Sequence, residues 1–297
     1  MAGAGRSRIV GESASTNSIA GGQVCQAKGI PMITPSSTNP QVTQIGDYIF
    51  RVCFLDDFQG EVMARFATNT LKAKKVAIFY DKSNDYSVGL SKYFRQAFEK
   101  SGGEIVIEEA YQASDADFSA QVTNIAAKKP DAVYVPGYYT QVGQIAQQAR
   151  RAGLTVPLLG GDGWDSPILI EIGKEAINGS YFSNHYTIED PDPNVQKFVK
   201  EFKAKYNQVP DAIAALAYDA ARILFASIKS VGSTDGKAIR DSIAKVKDYK
   251  GVTGKITIGP TRDAVKSAVI VGVEDGKYKL KETMAPAGET QASAATK

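Results

Sequence analysis

Short apolar runs alternate with amphipathic segments along the middle of the chain. Residues 75–80 (KVAIFY) are almost continuously apolar, as buried strands of a parallel sheet are. The next segment places Leu90, Phe94 and Phe98 on one face of a helix. Further strands are predicted at 105–109, 132–135 and 156–159, and further helices at 118–128 and 142–152. Strand–helix alternation with short connections predicts a parallel sheet covered by helices on both faces.

A second set of alternating elements lies on either side of this block. Strands are predicted at residues 30–34 and 48–52. Helices are predicted after the block, at residues 195–202, 213–224 and 235–246. Apolar and polar positions then alternate over residues 255–280, where Asp275-Gly276 predicts a hairpin. Because no Gly/Ser-rich linker divides the chain, we expect two domains whose segments interleave.

Length and charge narrow the class of protein. A chain of 297 residues can form two domains of ordinary size. Its 35 basic and 32 acidic residues give a net charge of +3, and the basic residues are scattered. Nucleic-acid and membrane-surface binders usually show clustered basic charge, so we expect neither kind of partner. No apolar run approaches the roughly 18–20 residues that span a bilayer.

The sequence contains little that could support catalysis. Cys25 and Cys53 do not form a disulfide or zinc pattern, and His185 is the single histidine. A Ser–His–acid triad would have to use that histidine, which has no partner at a suitable spacing. The turn at 160–163 (GGDG) lacks the third glycine of a dinucleotide-binding loop. We therefore expect no enzyme activity, no metal and no cofactor.

Polar clusters follow several of the predicted strands, at the edge where open α/β sheets bind ligands. Residues 11–18 (GESASTNS) precede a helix, where Ser15 and backbone N–H groups could hold an anion or form an ordinary N-cap. Residues 35–40 (PSSTNP) offer more hydroxyl groups, or form a plain polar turn. The other block contributes acidic and aromatic residues at 81–86, 137–139 and 161–165.

These clusters together indicate a ligand with two opposite charges. Carboxylates and aromatic faces suit an ammonium group, and hydroxyl groups suit a carboxylate. Each aromatic residue taken alone is more often a packing residue than a site residue. On equivalent ends of one sheet, they favour a site for an α-amino acid.

Several stretches resemble those of periplasmic leucine/isoleucine/valine-binding proteins, the substrate-binding components of branched-chain amino-acid ABC transporters. The resemblance extends from about Ile9 to about Leu280. The stretches that carry it are VGESASTNS, GIPMITPSSTNP, FRVCFLDDFQGEVMA, VPGYYTQVGQIAQQAR, LGGDGWDSP and YDAARIL. The resemblance implies a type I periplasmic-binding-protein fold, with two doubly wound parallel-sheet lobes and three crossovers between them.

The resemblance also implies the limits of each lobe. The first lobe would comprise residues 1–56 and 187–259, the second 57–186 and 260–284, and 285–297 would form a disordered tail. The crossovers would fall near Leu55–Phe58, Asn184–Tyr186 and Gly259–Arg262.

At the front, family members carry further strand–helix units before the segment that matches Ile9. Residues 1–8 (MAGAGRSR) stand in their place and contain no signal peptide. We therefore expect a truncated product or a misassigned start, with a first lobe incomplete at its N-terminus. Such a lobe would be unstable or paired with another chain.

By position, the resemblance assigns ligand-binding roles to residues of both lobes. The ligand's carboxylate and amino group would bind first-lobe residues Ser15, Ser36 and Thr38. The second lobe would close over it with Tyr86, Tyr138 and Asp162. Asp162 would pair with the ammonium, and Trp164 would shape the side-chain pocket. Family members often carry Glu where Asp162 stands, so the shorter side chain puts a branched-chain preference in doubt.

The implied function is capture of an amino acid or similar small molecule and its delivery to an ABC transporter permease. The implied location is extracytoplasmic, as a periplasmic protein or a surface lipoprotein. A ligand-sensing regulator or receptor domain of the same fold is the alternative, because fold alone does not decide between transport and sensing. Neutral amino acids, amides and small aromatic acids all fit this chemistry.

Overall fold

The computed structural model describes residues 8–285. Nearly all of the predicted tail, and residues 1–7 at the front, lie outside this range. The strands are β1 (Ile9–Val10), β2 (Met32–Thr34), β3 (Ile49–Arg51), β4 (Lys75–Asp81), β5 (Glu104–Tyr111), β6 (Ala132–Tyr134), β7 (Leu158–Gly160), β8 (Tyr181–Asn184), β9 (Tyr249–Gly251), β10 (Gly254–Ile258), β11 (Ala264–Val265), β12 (Ala268–Glu274) and β13 (Lys277–Met284). The α-helices are α1 (Ser15–Ala27), α2 (Gln41–Gln44), α3 (Asp56–Arg65), α4 (Asp85–Lys100), α5 (Ser119–Ala127), α6 (Tyr139–Arg151), α7 (Pro167–Gly173), α8 (Pro193–Tyr206), α9 (Ala212–Val231) and α10 (Gly236–Ile243).

The larger sheet has seven strands in the order β13-β12-β8-β7-β6-β4-β5. Strands β4 to β8 pair in parallel, whereas β12 pairs antiparallel with both β8 and β13. Successive residues of β4 contribute to different hydrophobic clusters, Ala77 and Phe79 to one and Val76 and Ile78 to the other. Because side chains alternate between the faces of a strand, both faces of this sheet are buried.

The smaller part of the molecule contains a parallel sheet β1-β2-β3 and an antiparallel sheet β11-β10-β9. Helices α9 and α10 cover them with Leu216, Ile223 and Ile239, which pack with Ile33 and Phe50. The predicted hairpin is confirmed, since β12 and β13 pair around Asp275-Gly276. Within residues 8–285, no helix is both long and apolar enough to cross a membrane.

Within residues 8–285, the chain passes between the two parts three times, after β3, after β8 and after β11. The first passage includes residues 52–55, between β3 and α3, and the second begins after β8, at residue 185. Since β11 pairs with β10, residues 264–265 stay with the smaller part. The third passage therefore lies at 266–267. Strand β11 is only two residues long, so the sequence shows no hydrophobic periodicity from which the strand could be predicted.

Candidate functional site: a cleft between the two parts

A cavity of about 270 Å³ lies between the two parts of the molecule. One wall is formed by the segment before α1 and the segment after β2. The other is formed by the start of α4, the segment after β6 and the turn after β7. The lining residues are Ser13, Ala14, Ser15, Ser36, Tyr86, Tyr138, Tyr139, Thr140, Asp162, Gly163 and Ile213. Five of the seven predicted site residues are therefore brought together.

Hydroxyl groups and a helix N-terminus form the first wall. Ser13 Oγ and Ser36 Oγ are 2.8 Å apart, and Ser36 Oγ also donates to Ser13 O at 3.0 Å. Ser15 begins α1, and the preceding Ala14 has no side chain that could cap the helix. The N–H groups of the first helical turn have no partner within the helix, so they remain available to an anion. This wall is suited to a carboxylate.

Arg51 holds the first wall in place from behind. Its buried guanidinium donates to Ser37 O, to Asn39 O at 2.9 Å and to Thr43 Oγ1 at 3.1 Å. It also pairs with Asp263 Oδ1 at 2.6 Å. The segment after β2 is thereby fixed by one side chain that reaches it from β3.

The second wall centres on the carboxylate of Asp162. Tyr86 Oη donates to Asp162 Oδ1 at 2.9 Å, and Tyr86 itself is placed in the first turn of α4 by the capping side chain of Asn84. The Tyr86 and Tyr138 rings stack with centroids 5.3 Å apart. Burial raises the pKa of both phenols, so they remain protonated donors near neutral pH.

Two further polar side chains hold the Asp162 turn. His185 Nε2 lies 2.9 Å from Asp162 Oδ2, and Asp162 N donates to Gln59 Oε1 at 2.8 Å. Glycine is required at position 161, since a Cβ there would lie 2.5 Å from Tyr86 Oη and 2.7 Å from Gln59 Oε1. Sequence reasoning missed both His185 and Gln59. Their partners are 23 and 103 residues away along the chain, so no local motif could have revealed them.

Thr38 and Trp164, the other two predicted site residues, do not line the cavity. Thr38 is fully buried beside it, and its backbone carbonyl accepts from Asp56 N at 3.0 Å. Trp164 is a core residue that packs in the hydrophobic cluster of the larger sheet. Its Nε1 donates to Val135 O at 3.0 Å. The sequence places Trp164 at a strand end, but the turn after β7 directs the indole inward.

A larger cavity of about 670 Å³ adjoins the first, and Tyr139 lines both. It lies between the ends of β7 and β8 and the segment before α9. Its other lining residues are Asp165, Ser166, Pro167, Ile168, Glu171, Asn184, Tyr186, Thr187, Ile188, Phe202, Gln208, Val209, Pro210, Asp211, Ala214, Val271 and Tyr278. Burial raises the pKa of Asp165 to about 6. Within residues 8–285, no group of three or more His, Cys, Asp and Glu side chains could hold a metal ion.

The fold has two α/β parts with a polar cleft at the strand ends, and the sequence of the chain matches a known family. The family model described as periplasmic binding protein matches residues 7–277. The chain belongs to this family. The type I periplasmic-binding-protein fold that the sequence predicts is thereby confirmed, and the family is one of solute-binding proteins.

Individual family members agree with this assignment. The chain is 33% identical over 258 residues to the Leu/Ile/Val-binding protein BraC3 of Rhizobium johnstonii, a match that covers 86% of this chain and 69% of that protein. The crystal structure of the leucine binding protein LivK from Thermotoga maritima superposes with a TM-score of 0.91 at 42% identity. LivJ from Streptococcus pneumoniae, in complex with isoleucine, superposes with a TM-score of 0.89 at 34% identity. Each structural match covers 94% of this chain and 80% of the other.

Proposed function

We propose that this protein captures a small α-amino acid in the cleft between its two lobes and delivers it to the permease of an ABC transporter, on the extracytoplasmic side of the membrane. The function is capture without chemistry. The relatives named above are a Leu/Ile/Val-binding protein, a leucine binding protein, and a substrate-binding protein of a branched-chain amino-acid transporter in complex with isoleucine. These relatives support an amino acid as the ligand.

The carboxylate of Asp162 is the observation on which this proposal rests. It is only 7% exposed, it faces the cavity, and no Lys or Arg side chain is among the described residues that line that cavity. Burial lowers the pKa of the neighbouring His185, so the imidazole is neutral near pH 7 and forms no ion pair with the Asp162 carboxylate. A buried carboxylate without a cationic partner favours a cationic ligand group.

The opposite wall supports the other half of the ligand. An α-carboxylate between Ser15, Ser36 and the start of α1 would accept hydrogen bonds from hydroxyl and backbone donors. Thr38 would join them if the buried hydroxyl turned toward the ligand. The ammonium would then lie against Asp162, with the Tyr86 and Tyr138 rings beside it. Ile213 and Tyr139 offer apolar surface to the ligand's side chain.

The test measures L-leucine binding by calorimetry, after a thermal-shift screen of the twenty amino acids. A ligand that binds only the folded protein stabilises it by about 2.7 kcal/mol at a hundredfold excess over Kd. Asp162→Asn should weaken leucine binding by roughly thirtyfold, about 2 kcal/mol, because it removes one charge of a buried pair. Asp275→Asn, which makes the same change in the exposed turn after β12, should bind like the wild type.

Two results would overturn the proposal. One is a wild-type protein that binds none of the twenty amino acids. The other is an Asp162→Asn variant whose leucine affinity equals that of Asp275→Asn.

A further inference from the structure

His185 lies directly behind the acidic wall of the cleft. Its side chain is 1% exposed, and its Nε2 is 2.9 Å from Asp162 Oδ2. The ring stacks on Phe54 with centroids 3.7 Å apart and planes inclined by 27°. Phe54 belongs to the first passage between the lobes, and His185 begins the second. The imidazole thus joins the acid of the site to the two passages.

The hydrogen bonding of the ring fixes its protonation state. Nδ1 of His185 is buried and has no hydrogen-bond partner within residues 8–285. A proton on Nδ1 would be a buried donor without an acceptor, which is costly, whereas an unprotonated Nδ1 leaves only a weak acceptor unpaired. The proton therefore lies on Nε2, where Asp162 Oδ2 accepts it. Burial lowers the pKa of His185, which agrees with a neutral ring.

We propose that His185 is a positioning residue for ligand binding: its Nε2–H holds the Asp162 carboxylate in the orientation that receives the ligand's ammonium. This inference rests on the proposed function. Each carboxylate oxygen keeps a lone pair for the ligand, because Tyr86 occupies one position on Oδ1 and His185 one on Oδ2. A carboxylate fixed at both oxygens does not have to be ordered when the ligand binds, and this preorganisation raises affinity.

Gln59 completes this arrangement from the backbone side. Its Oε1 accepts from Asp162 N and from Ser183 Oγ, each at 2.8 Å. Ser183 lies on β8, two residues before His185, and Gln59 lies in α3, just after the first passage. Asp162 is therefore held by Gln59 and His185, which lie next to the first and second passages. Rotation of the lobes about these passages would move both residues relative to Asp162.

Two variants separate positioning from packing. His185→Gln keeps an N–H donor close to the position of Nε2, whereas His185→Leu keeps apolar volume and removes the donor. We expect His185→Leu to weaken L-leucine binding roughly tenfold, the effect of one lost hydrogen bond to a charged group. His185→Gln should stay within about threefold of the wild type, and the two variants should melt at similar temperatures.

A double-mutant cycle with Asp162→Asn shows whether the effect passes through that carboxylate. In the Asp162→Asn background, His185→Leu should cost almost nothing further, because the charge that it orients is gone. An equal, additive loss in both backgrounds would overturn the proposal. Wild-type affinity in His185→Leu would do the same.

A spectroscopic measurement on the wild-type protein needs neither a variant nor a ligand. His185 is the single histidine of the sequence, so ¹⁵N imidazole signals report on it alone. At pH 7 they should show a neutral ring protonated at Nε2. An imidazolium or an Nδ1–H tautomer would overturn the proposal even if the variants failed to fold. Absence of leucine binding, with the Nε2–H tautomer present, would instead count against the proposed function.

Discussion

At the residue scale, burial affects the pKa of Asp56, an acidic residue near the cleft, more strongly than its hydrogen bonds do. Asp56 begins α3 and is fully buried, and its Oδ1 accepts a long bond of 3.4 Å from Gln59 Nε2. Its Oδ2 has no hydrogen-bond partner within residues 8–285, and burial raises the pKa of Asp56 to about 8. The native protein therefore holds a proton on Asp56 at neutral pH that the unfolded chain releases.

Asp56→Asn tests this assignment through the pH dependence of stability. The folded pKa lies above the unfolded value, so the stability that the proton contributes is complete below about pH 4 and is lost as the pH rises to about 8. Asparagine cannot ionise, so the stability of the variant should rise relative to that of the wild type over this range, by roughly 3 to 4 kcal/mol between pH 5 and pH 8. Urea unfolding at both pH values measures the difference.

Asp57→Asn is the matched control, because Asp57 is exposed one residue further along. The difference in unfolding free energy between the Asp57→Asn variant and the wild type should hardly change with pH. A constant difference between Asp56→Asn and the wild type would show that Asp56 is ionised in the native state.

Single residues also show where sequence reasoning reaches its limit. Ser15, Ser36, Tyr86, Tyr138 and Asp162 follow strand ends, and the rule that parallel strands present their carboxyl ends to ligands is enough to bring them together. The binding roles that the resemblance assigns to them stay predictions. The hydrogen bond between Asp162 and His185 could not be predicted. It depends on the second passage, which begins at His185, lying beside the turn after β7 that contains Asp162.

At the element scale, hydrophobic periodicity predicted the long helices and most strands of the larger sheet, but not β8, which pairs with β7 and β12. It could not locate β11, which is two residues long. It could not predict the role of Arg51 either, since a charged residue at the end of a strand usually indicates solvent. Arg51 instead joins β3 to the segment after β2 and, through Asp263, to the segment before β11.

Arg51→Lys should destabilise the protein by about 3 kcal/mol. A lysine cannot reproduce the planar fork that contacts Asn39 O, Thr43 Oγ1 and Asp263 together, and it would leave buried acceptors unpaired. Urea unfolding provides the measurement. Arg95→Lys is the control, because its pair with Glu108 is partly exposed and should contribute less than about 1 kcal/mol. Equal effects of the two substitutions would mean that the Arg51 network contributes little.

At the scale of the whole molecule, the lobes touch directly across the mouth of the cleft. Thr16 Oγ1 in α1 donates to Asp85 Oδ2 in α4 at 3.0 Å, and Asp85 N donates back to Thr16 Oγ1 at 3.2 Å. Asn39 Nδ2 adds a bond of 2.9 Å to Asp85 O. These contacts join the smaller part to the larger one, so separation of the two parts at this point would break them. The resemblance implied two lobes, the second closing over the ligand, but not the residues that join the lobes at this contact.

Thr16→Val should shift the equilibrium between closed and open forms without touching the ligand. Both residues at this contact are exposed, so the substitution should leave the folded lobes intact. If leucine binds the closed form, loss of these bonds should weaken binding about three- to tenfold and raise the radius of gyration of the ligand-free protein in solution scattering. Saturating leucine should restore the smaller radius of gyration, because ligand binding then supplies the free energy of closure.

Thr123→Val, the same change at an exposed position of α5, should alter neither quantity. An unchanged affinity and radius in Thr16→Val would show that the passages and the ligand, rather than the contact at Asp85, determine closure.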